Sequence, residues 1–393
     1  MQLSAAVKRG RLMRTVLMCT GALAALVLVI GVRAATPGSA VDQMSTPERL
    51  NQPGWWPTRL VATRKDFVGS AACAPCHGSI ATIAKNSEMA NALLRPQDSF
   101  VMQKYAGQTF QVDGFSYQLK QTPQGFAFTV GHGTQAVTQP LTWAFGDGTL
   151  SQVYLTDMHG TWTESHFSYF GGAHSFDRTT NQPRQAESVA EAVGRSVSPT
   201  EIRRCFSCHA AGVTSDGGFQ DVIPGVACEA CHGPGADHVA AMKAHLEGGE
   251  GLIMSPKHLD RAASVDFCGA CHQTWVDVQM GDALGAATAR FPAYGLQNSQ
   301  CWAKGDERIA CVGCHDPHQP LARDSAHYDQ KCLGCHLTTA KAAPEKGHPG
   351  KACPQGTRNC ASCHMPKIEF PDTHHAFTDH NIRIVKANEP AGQ

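Results

Sequence analysis

The sequence carries no excess of charge of either sign. Its 393 residues include 33 Lys and Arg against 33 Asp and Glu, so the formal net charge is zero. Proteins that bind nucleic acid usually present a basic surface to the phosphates, and this composition offers no basic surplus for one. We therefore expect no nucleic-acid partner.

Long apolar runs are also scarce. One run of 18 residues, 15–32, approaches the length of a membrane helix, and it follows the basic residues Lys8, Arg9, Arg11 and Arg14. A basic start, an apolar run and small residues near Ala34 are typical of an export signal. We predict that residues 1–34 are a cleaved signal peptide, with a retained N-terminal membrane anchor as the alternative.

Cysteine, in contrast, is abundant, and fourteen of the seventeen cysteines occur in the pattern Cys-x-x-Cys-His. The pairs are Cys73 and Cys76, Cys205 and Cys208, Cys228 and Cys231, Cys268 and Cys271, Cys311 and Cys314, Cys332 and Cys335, and Cys360 and Cys363. The histidines that follow them are His77, His209, His232, His272, His315, His336 and His364. We number these motifs 1 to 7 in chain order.

Each motif can attach one haem c. The two thiols add to the vinyl groups of the porphyrin, and the following His binds the iron as the proximal ligand. Chance would give on the order of 0.04 such pentapeptides in a chain of this composition. Zinc sites usually use two Cys-x-x-Cys knuckles for each metal, and a thioredoxin-like redox pair is normally single, so both alternatives fit seven motifs poorly. The sequence predicts seven covalently attached haem c groups.

Seven porphyrins would change how the chain forms a core. The 38 Gly and 22 Pro indicate much irregular backbone, and apolar haem discs can bury surface where side chains do not. We predict a mainly α and irregular multihaem cytochrome c with a covalently bound haem core. Its parts are a linker at 35–66, a first haem segment at 67–107, an insert at 108–175 and a hexahaem segment at 176–393.

The insert has a different pattern. It contains no Cys, and apolar residues alternate on both sides of Asp113-Gly114, which is a strong hairpin signal. Further alternating runs follow as far as Tyr169, so we predict a small antiparallel β-meander. Its four histidines, His132, His159, His166 and His174, are expected to be surface or structural residues.

Other histidines are candidates for the distal, sixth ligand of an iron. His238 lies six residues after a proximal His, His318 lies three after another, and His374 and His380 stand near the C-terminus. A His beside one haem can bind the iron of a neighbouring haem. We favour these four as ligands over a surface role, and we rank the remaining histidines of this region lower.

These residues resemble a known family. The stretches that carry the resemblance are Phe67 to His77, Cys228 to His238, Cys314 to His318, Cys363 to Lys367 and Phe377 to His380. They are similar to multihaem cytochromes c related to the tetrahaem electron acceptor of hydroxylamine oxidoreductase. The resemblance covers roughly residues 67–386, although this chain has seven motifs rather than four and carries the insert.

The resemblance implies mostly bis-His haems, electron transfer, and a place in the periplasm or at the outer cell surface. It also implies that His238, His318, His374 and His380 are distal ligands. In the first helix, where relatives often place a His, this chain has Met89. Met89 is therefore a candidate distal ligand, with core packing as the alternative.

Two further cysteines, Cys301 and Cys353, lie outside the motifs in the exported part of the chain. Because these two cysteines remain after the motifs are assigned, and an exported chain enters an oxidising compartment, we predict one disulfide between them. The alternatives are free thiols or a haem ligand.

The sequence therefore predicts an exported electron carrier whose partners are redox proteins, either other cytochromes or a quinone-linked membrane complex. The protein would control the haems through the type of axial ligand, the burial of each haem and the charges near it. One alternative is a reductase or oxidase of a small nitrogen or sulfur species at a five-coordinate haem. Another is a structural haem subunit of a membrane complex or filament.

Overall fold

A computed structural model describes residues 62–180, 182, 185–214, 217–280, 285–336, 353–370 and 372–385. The predicted signal peptide or anchor, and almost all of the predicted linker, lie outside the described residues. In the described chain no single helix is long and apolar enough to cross a membrane; one bent pair, Arg64–Cys73 with Gly78–Ala84, qualifies by length and composition alone.

The strands are all antiparallel and group into four sheets. In chain order they are β1 Leu93–Leu94, β2 Thr109–Val112, β3 Phe115–Thr122, β4 Gly125–His132, β5 Gln135–Leu141, β6 Trp143–Phe145, β7 Ser151–Met158, β8 Thr161–Phe170, β9 Ser175–Arg178, β10 Gly194–Val197, β11 Ala210–Ala211, β12 Ile223–Pro224, β13 Lys367–Phe370 and β14 His375–Thr378. Strands β2 to β5 form a four-stranded meander, while β11–β12 and β13–β14 are two-stranded. The largest sheet has the order β1-β6-β7-β8-β10, with β9 added to β8.

The predicted hairpin at Asp113-Gly114 is confirmed. Val112 pairs with Phe115 across the turn, and both turn residues have positive φ, 50° and 85°. Such a two-residue turn matches the right-handed twist of the strands, and Gly takes positive φ without strain. The hairpin sets the register of the whole meander, because β4 and β5 follow on from β3.

The β region is larger than predicted. The largest sheet takes strands from both flanks, at 93–94, 175–178 and 194–197, so the β region runs from residue 93 to 197 rather than from 108 to 175. The segment 79–94 has apolar residues at helical spacing, but its helix ends at Ala84, where the chain turns, and Leu93 joins the sheet edge. Sheet pairing with a remote strand outweighs the helical pattern of this segment.

Aromatic side chains fill the space between the two larger sheets. Phe167 is fully buried, and five rings surround it with centroids 5.1–5.9 Å away. Those rings belong to Phe110, Tyr117, Phe128, Tyr154 and Phe176. Tilted and edge-on ring contacts of this kind stabilise a core beyond simple burial. The β region therefore has a conventional apolar core of its own.

The remaining described chain is a series of short helices. They are α1 Ser70–Cys73, α2 Gly78–Ala84, α3 Phe100–Tyr105, α4 Val189–Val193, α5 Pro199–His209, α6 Cys228–His232, α7 Ala236–Lys243, α8 Arg261–His272, α9 Trp275–Met280, α10 Pro292–Gln297, α11 Gln300–Ala303, α12 Cys311–Cys314, α13 Asp329–His336 and α14 Cys360–His364. Six 3₁₀ turns accompany them, at Arg64–Asp66, Pro96–Asp98, Gly249–Leu252, Pro256–His258, Gly285–Arg290 and Ser325–Tyr328. The first cysteine of every motif lies in a helix, either inside it or as its first or last residue.

Helices α3, α4 and α5 pack against the β region, but apolar packing is sparse among the described helices from α6 onward. The one separate cluster of buried apolar residues described there consists of Val265, Ala293 and Ala310. The β-region cluster around Phe167 holds seventeen buried residues. Such a small side-chain core cannot by itself offset the entropy of ordering a segment of this length. The described fold therefore contains the predicted helices and antiparallel sheets. The stability of the motif segment must come from something other than the packing of apolar side chains.

Truncating the central ring of the β region should destabilise the protein strongly. We expect Phe167→Ala to lower the free energy of unfolding by about 3–5 kcal/mol, because the cavity removes five ring contacts. Phe100→Ala is the matched control, since Phe100 is 68% exposed and should change stability by no more than about 0.5 kcal/mol. Denaturant unfolding followed by far-UV circular dichroism measures both, and equal effects would contradict the packing described here.

Candidate haem sites

Each motif is built on a short stretch of helix. In motif 1 the His77 amide donates to the Cys73 carbonyl at 2.9 Å, and in motif 5 the His315 amide donates to Cys311 at 2.8 Å. This helical spacing puts the two cysteines, three positions apart, on one face. The His lies one residue beyond, so the motif presents two thiols and an imidazole toward one side.

Backbone carbonyls hold several proximal imidazoles. The Nδ1 atoms of His209, His232 and His364 lie 2.8–2.9 Å from the carbonyls of Ala92, Met254 and Arg383 respectively. A proximal His in a metal site typically donates Nδ1–H to such a carbonyl, which fixes the tautomer and leaves Nε2 available for the metal. These three side chains are therefore oriented as iron ligands require.

The carbonyl of Ala92 has a second partner. The Gly146 amide of the largest sheet donates to it at 2.8 Å, while His209 binds it at 2.9 Å. The proximal His of motif 2 is thus attached to the backbone of the β region.

His315 has a different partner. Its Nδ1 lies 3.4 Å from the Tyr328 hydroxyl, which donates to the Ala322 carbonyl at 2.8 Å. Tyr328 ends the 3₁₀ turn that leads into the helix of motif 6. The ligand of one motif is therefore oriented by the segment that begins the next.

Two pairs of imidazoles face each other at a distinctive separation. The ring centres of His232 and His318 are 6.2 Å apart with an interplanar angle of 11°. Those of His315 and His380 are 6.3 Å apart with an angle of 39°. In each pair a proximal His meets one of the predicted distal histidines.

This separation fits two imidazoles bound to one iron. With metal–nitrogen bonds of about 2.0 Å, and ring centres about 1.1 Å beyond each nitrogen, trans ligands have centres about 6.2–6.3 Å apart. His380 also uses Nδ1 toward a carbonyl, that of Thr378 at 2.9 Å, which leaves its Nε2 toward His315. Burial lowers the pKa of His380 to about 4, so it is the neutral imidazole that a metal binds.

The other predicted distal ligands differ from one another. His238 has its Nδ1 at 2.8 Å from the Gly249 carbonyl, an orientation that leaves Nε2 available. His374, in contrast, has its Nε2 at 2.8 Å from the Asp177 carboxylate and its ring against Phe170. The ring of His374 thus has partners from the β region, and iron ligation by His374 stays a prediction.

Met89 lies in a turn rather than in a helix. Its carbonyl accepts from the Ala92 amide at 3.1 Å and from the Val226 amide at 2.8 Å. The turn at Met89, which follows motif 1, is thus hydrogen-bonded to the stretch of chain just before motif 3. Ligation through its sulfur stays a prediction.

Thiols of different motifs meet in three places. Burial and the neighbouring Cys228 thiol raise the pKa of Cys73 to about 11. A hydrogen bond between Cys268 and Cys311 raises the pKa of Cys268. Cys360 has its pKa raised to about 12 by burial, by Asp329 and by the Cys332 thiol. Motifs 1 and 3, 4 and 5, and 6 and 7 therefore approach through the first cysteine of each.

The predicted disulfide does not form. Cys301 and Cys353 are both unbonded; Cys301 is half-buried in α11, whereas Cys353 is exposed. Burial together with the Cys335 thiol and Asp306 raises the pKa of Cys301. Cys301 thus lies among the thiols of motifs 5 and 6.

Sequence reasoning missed the groups that orient the ligands. The carbonyls of Ala92, Met254 and Arg383 are 117, 22 and 19 residues away from their histidines, and no motif marks them. The Tyr328 hydroxyl was missed for the same reason. In the described chain, no group of three or more His, Cys, Asp or Glu side chains is arranged to hold a bare metal ion.

Comparison with known proteins gives three findings. A family model described as "Cytochrome c554 and c-prime" matches residues 159–233, which contain motifs 2 and 3. The dissimilatory sulfite reductase MccA of Wolinella succinogenes is 27% identical over 37% of this chain and 22% of that protein, so the chain spans about a fifth of this curated relative. The solved outer cell wall cytochrome OcwA has a TM-score of 0.47 and 12% identity, with 81% of this chain and 80% of that chain covered.

Removing one facing imidazole should change the spin state of one iron. We expect His318→Ala to give a high-spin ferric signal from one haem, because the His232 iron loses its sixth ligand. His258→Ala is the control, since His258 is exposed and has no facing imidazole in the described chain. Electron paramagnetic resonance of the oxidised holoprotein measures the change, and an unaltered set of low-spin signals in His318→Ala would contradict this ligand assignment.

Proposed function

Because the chain belongs to the multihaem cytochrome c superfamily, we propose that it is an exported seven-haem cytochrome that transfers electrons by hopping between haems. The observation that carries this proposal is the network of contacts between motifs. Electron transfer between cofactors needs no bond chemistry on a substrate, and the protein has only to hold the haems close together and control their environment.

The contacts join all seven motifs. Thiol contacts link 1 with 3, 4 with 5, and 6 with 7. The Cys208 thiol of motif 2 lies 3.9 Å from the Ala270 carbonyl inside motif 4. The Cys231 thiol also raises the pKa of Cys268, and Cys314 that of Cys332, which links 3 with 4 and 5 with 6. These contacts support a route 1–3–4–5–6–7 with motif 2 branching at motif 4.

The bound haems would supply irons that cycle between the ferric and ferrous states. The chain's own residues would bind and orient these irons. Facing histidines such as His232 and His318 would hold one iron between them, and the Met254 carbonyl on Nδ1 of His232 would keep that ring in one orientation. Burial of His209, His272 and His380 lowers the pKa of each, so these ligands stay neutral and water is kept from their rings.

A cytochrome of this kind would act outside the cytoplasm, in the periplasm or at the outer cell surface. Its partners would be other redox proteins, either cytochromes or a quinone-linked membrane complex. The exposed thiols of Cys76, Cys314 and Cys363 belong to motifs 1, 5 and 7, which supports an exposed edge at each of these three sites. Electrons could enter or leave the chain at such edges.

A second function has one observation in its favour. The similarity to the sulfite reductase MccA covers 37% of this chain, so a reductase of a small sulfur or nitrogen species is the second candidate. That function needs one iron with an open sixth position and proton-donating side chains beside it. Irons bound between the two facing imidazole pairs would have no open position, which counts against this function at two of the seven proposed sites.

The two functions differ in an experiment on the purified exported holoprotein. We expect an intact mass with seven haems, complete reversible oxidation and reduction, and no turnover of sulfite, nitrite or hydroxylamine. Turnover of any of these, together with a high-spin ferric signal in the unmodified protein, would favour the reductase instead.

The proposed number of haems can be tested separately with a variant that lacks one motif. A Cys73→Ser, Cys76→Ser variant should have a mass lower by one haem, because it lacks both thioether positions of motif 1. A wild-type mass corresponding to fewer than seven haems would contradict the proposed stoichiometry.

A further inference from the structure

Two carboxylates are buried between haem motifs. Glu229 is 2% exposed and Asp329 is 7% exposed. Acidic side chains are rarely buried to this extent unless they are paired or hydrogen-bonded. Neither belongs to the ligand sets described above, so their burial requires another explanation.

Glu229 connects motif 3 to motif 1. It lies inside motif 3, directly after Cys228, and its Oε2 accepts from the Gly69 amide at 2.7 Å. Its Oε1 accepts from the amides of Val68 at 2.9 Å and Gly235 at 2.8 Å. Val68 and Gly69 lead directly into helix α1, which carries Cys73.

Asp329 makes the same kind of connection between motifs 6 and 7. It is the first residue of α13, which carries motif 6. Its Oδ2 accepts from the Asn359 amide at 2.7 Å, and its Oδ1 accepts from the Cys360 amide at 2.8 Å. These amides open α14, which carries motif 7. A helix start has unsatisfied amide donors, and a carboxylate stabilises it.

The two connected pairs are also pairs whose first thiols meet. Glu229 lies beside Cys73 and Cys228, and it contributes to the raised pKa of Cys73. Asp329 lies beside Cys332 and Cys360, and it contributes to the raised pKa of both. Each negative charge is therefore next to the points where two porphyrins would attach.

Neither carboxylate forms an ion pair in the described chain. Hydrogen bonds from the Cys360 and Asn359 amides lower the pKa of Asp329, and the charge of Arg358 contributes to that lowering. Every hydrogen-bond partner of Glu229 in the described chain is a backbone amide, and no Lys or Arg there forms an ion pair with either carboxylate. Asp306, near motifs 5 and 6, is different, because it is 3% exposed and its carboxylate pairs with the Arg308 guanidinium at 2.5 Å. A buried carboxylate without a cation in hydrogen-bonding contact keeps more of its field than a carboxylate in an ion pair, where the two opposite charges largely cancel.

We propose that Glu229 and Asp329 act as positioning residues that hold motif pairs 1/3 and 6/7 together and lower the reduction potentials of the haems attached there. The proposal rests on the seven-haem function proposed above. A ferric haem carries one more positive charge than a ferrous haem, so a nearby negative charge stabilises the ferric form. The two ends of the route would then have lower potentials than the pair 4/5 between them.

Neutral isosteres test this proposal. We expect Glu229→Gln and Asp329→Asn each to raise the potentials of two haems out of seven. At a fixed applied potential, the ferrous-to-ferric ratio of those haems should rise roughly tenfold. Glu247→Gln is the matched control, because Glu247 is exposed and solvent screens its charge. Potentiometric titration followed by optical and paramagnetic resonance spectra measures the shift, and intact mass counts the haems in each variant.

The outcomes separate the two roles. Seven haems with two raised potentials supports the proposal. Loss of a haem from the connected pair also supports it, provided that the haem retained in that pair titrates at a raised potential. Unchanged potentials in both Glu229→Gln and Asp329→Asn, or an equal shift in Glu247→Gln, would overturn it. A failure of the underlying function is distinguishable, because it appears in the wild-type haem count and turnover.

Discussion

The hydrogen bond from an imidazole Nδ1 to a backbone carbonyl is the interaction on which the arrangement of the sites depends. It recurs at His209, His232 and His364, and in each case the carbonyl comes from another part of the chain. An imidazole on a short helix would otherwise rotate about its side-chain bonds, and the bond removes that freedom. The same bond holds the donor helix and the remote segment in one relative position.

The described chain divides its stability between two kinds of core. The β region is closed around Phe167 by ring-to-ring contacts and needs no cofactor to explain its packing. Among the described helices from α6 onward, the buried apolar cluster of Val265, Ala293 and Ala310 is far too small for that purpose. Contacts there are instead between thiols, imidazoles and carboxylates, which are the groups that surround a covalently attached porphyrin. The second part thus takes its shape from polar contacts between motifs.

Local features were predictable from the sequence, and long-range ones were not. The Asp113-Gly114 hairpin depends on two adjacent residues and was predicted correctly. The strands β1 and β10 lie outside the predicted insert at 108–175, and they join the sheet by pairing with strands remote in the sequence. The Nε2 bond from His374 to Asp177 spans 197 residues, and no spacing rule in the sequence could reveal it. Cys301 and Cys353 were paired by counting, which ignores where each side chain lies.

The carbonyl of Ala92 is shared between a sheet and a ligand, and this sharing has a consequence for how the molecule can be observed. The Gly146 amide and the His209 ring draw on the same oxygen, so a loosened sheet edge would tilt the imidazole with it. The colour of a haem depends on the orientation and strength of its axial bond. The absorption spectrum of a haem bound at motif 2 would therefore report on the strand pairing at this sheet edge, without any added label.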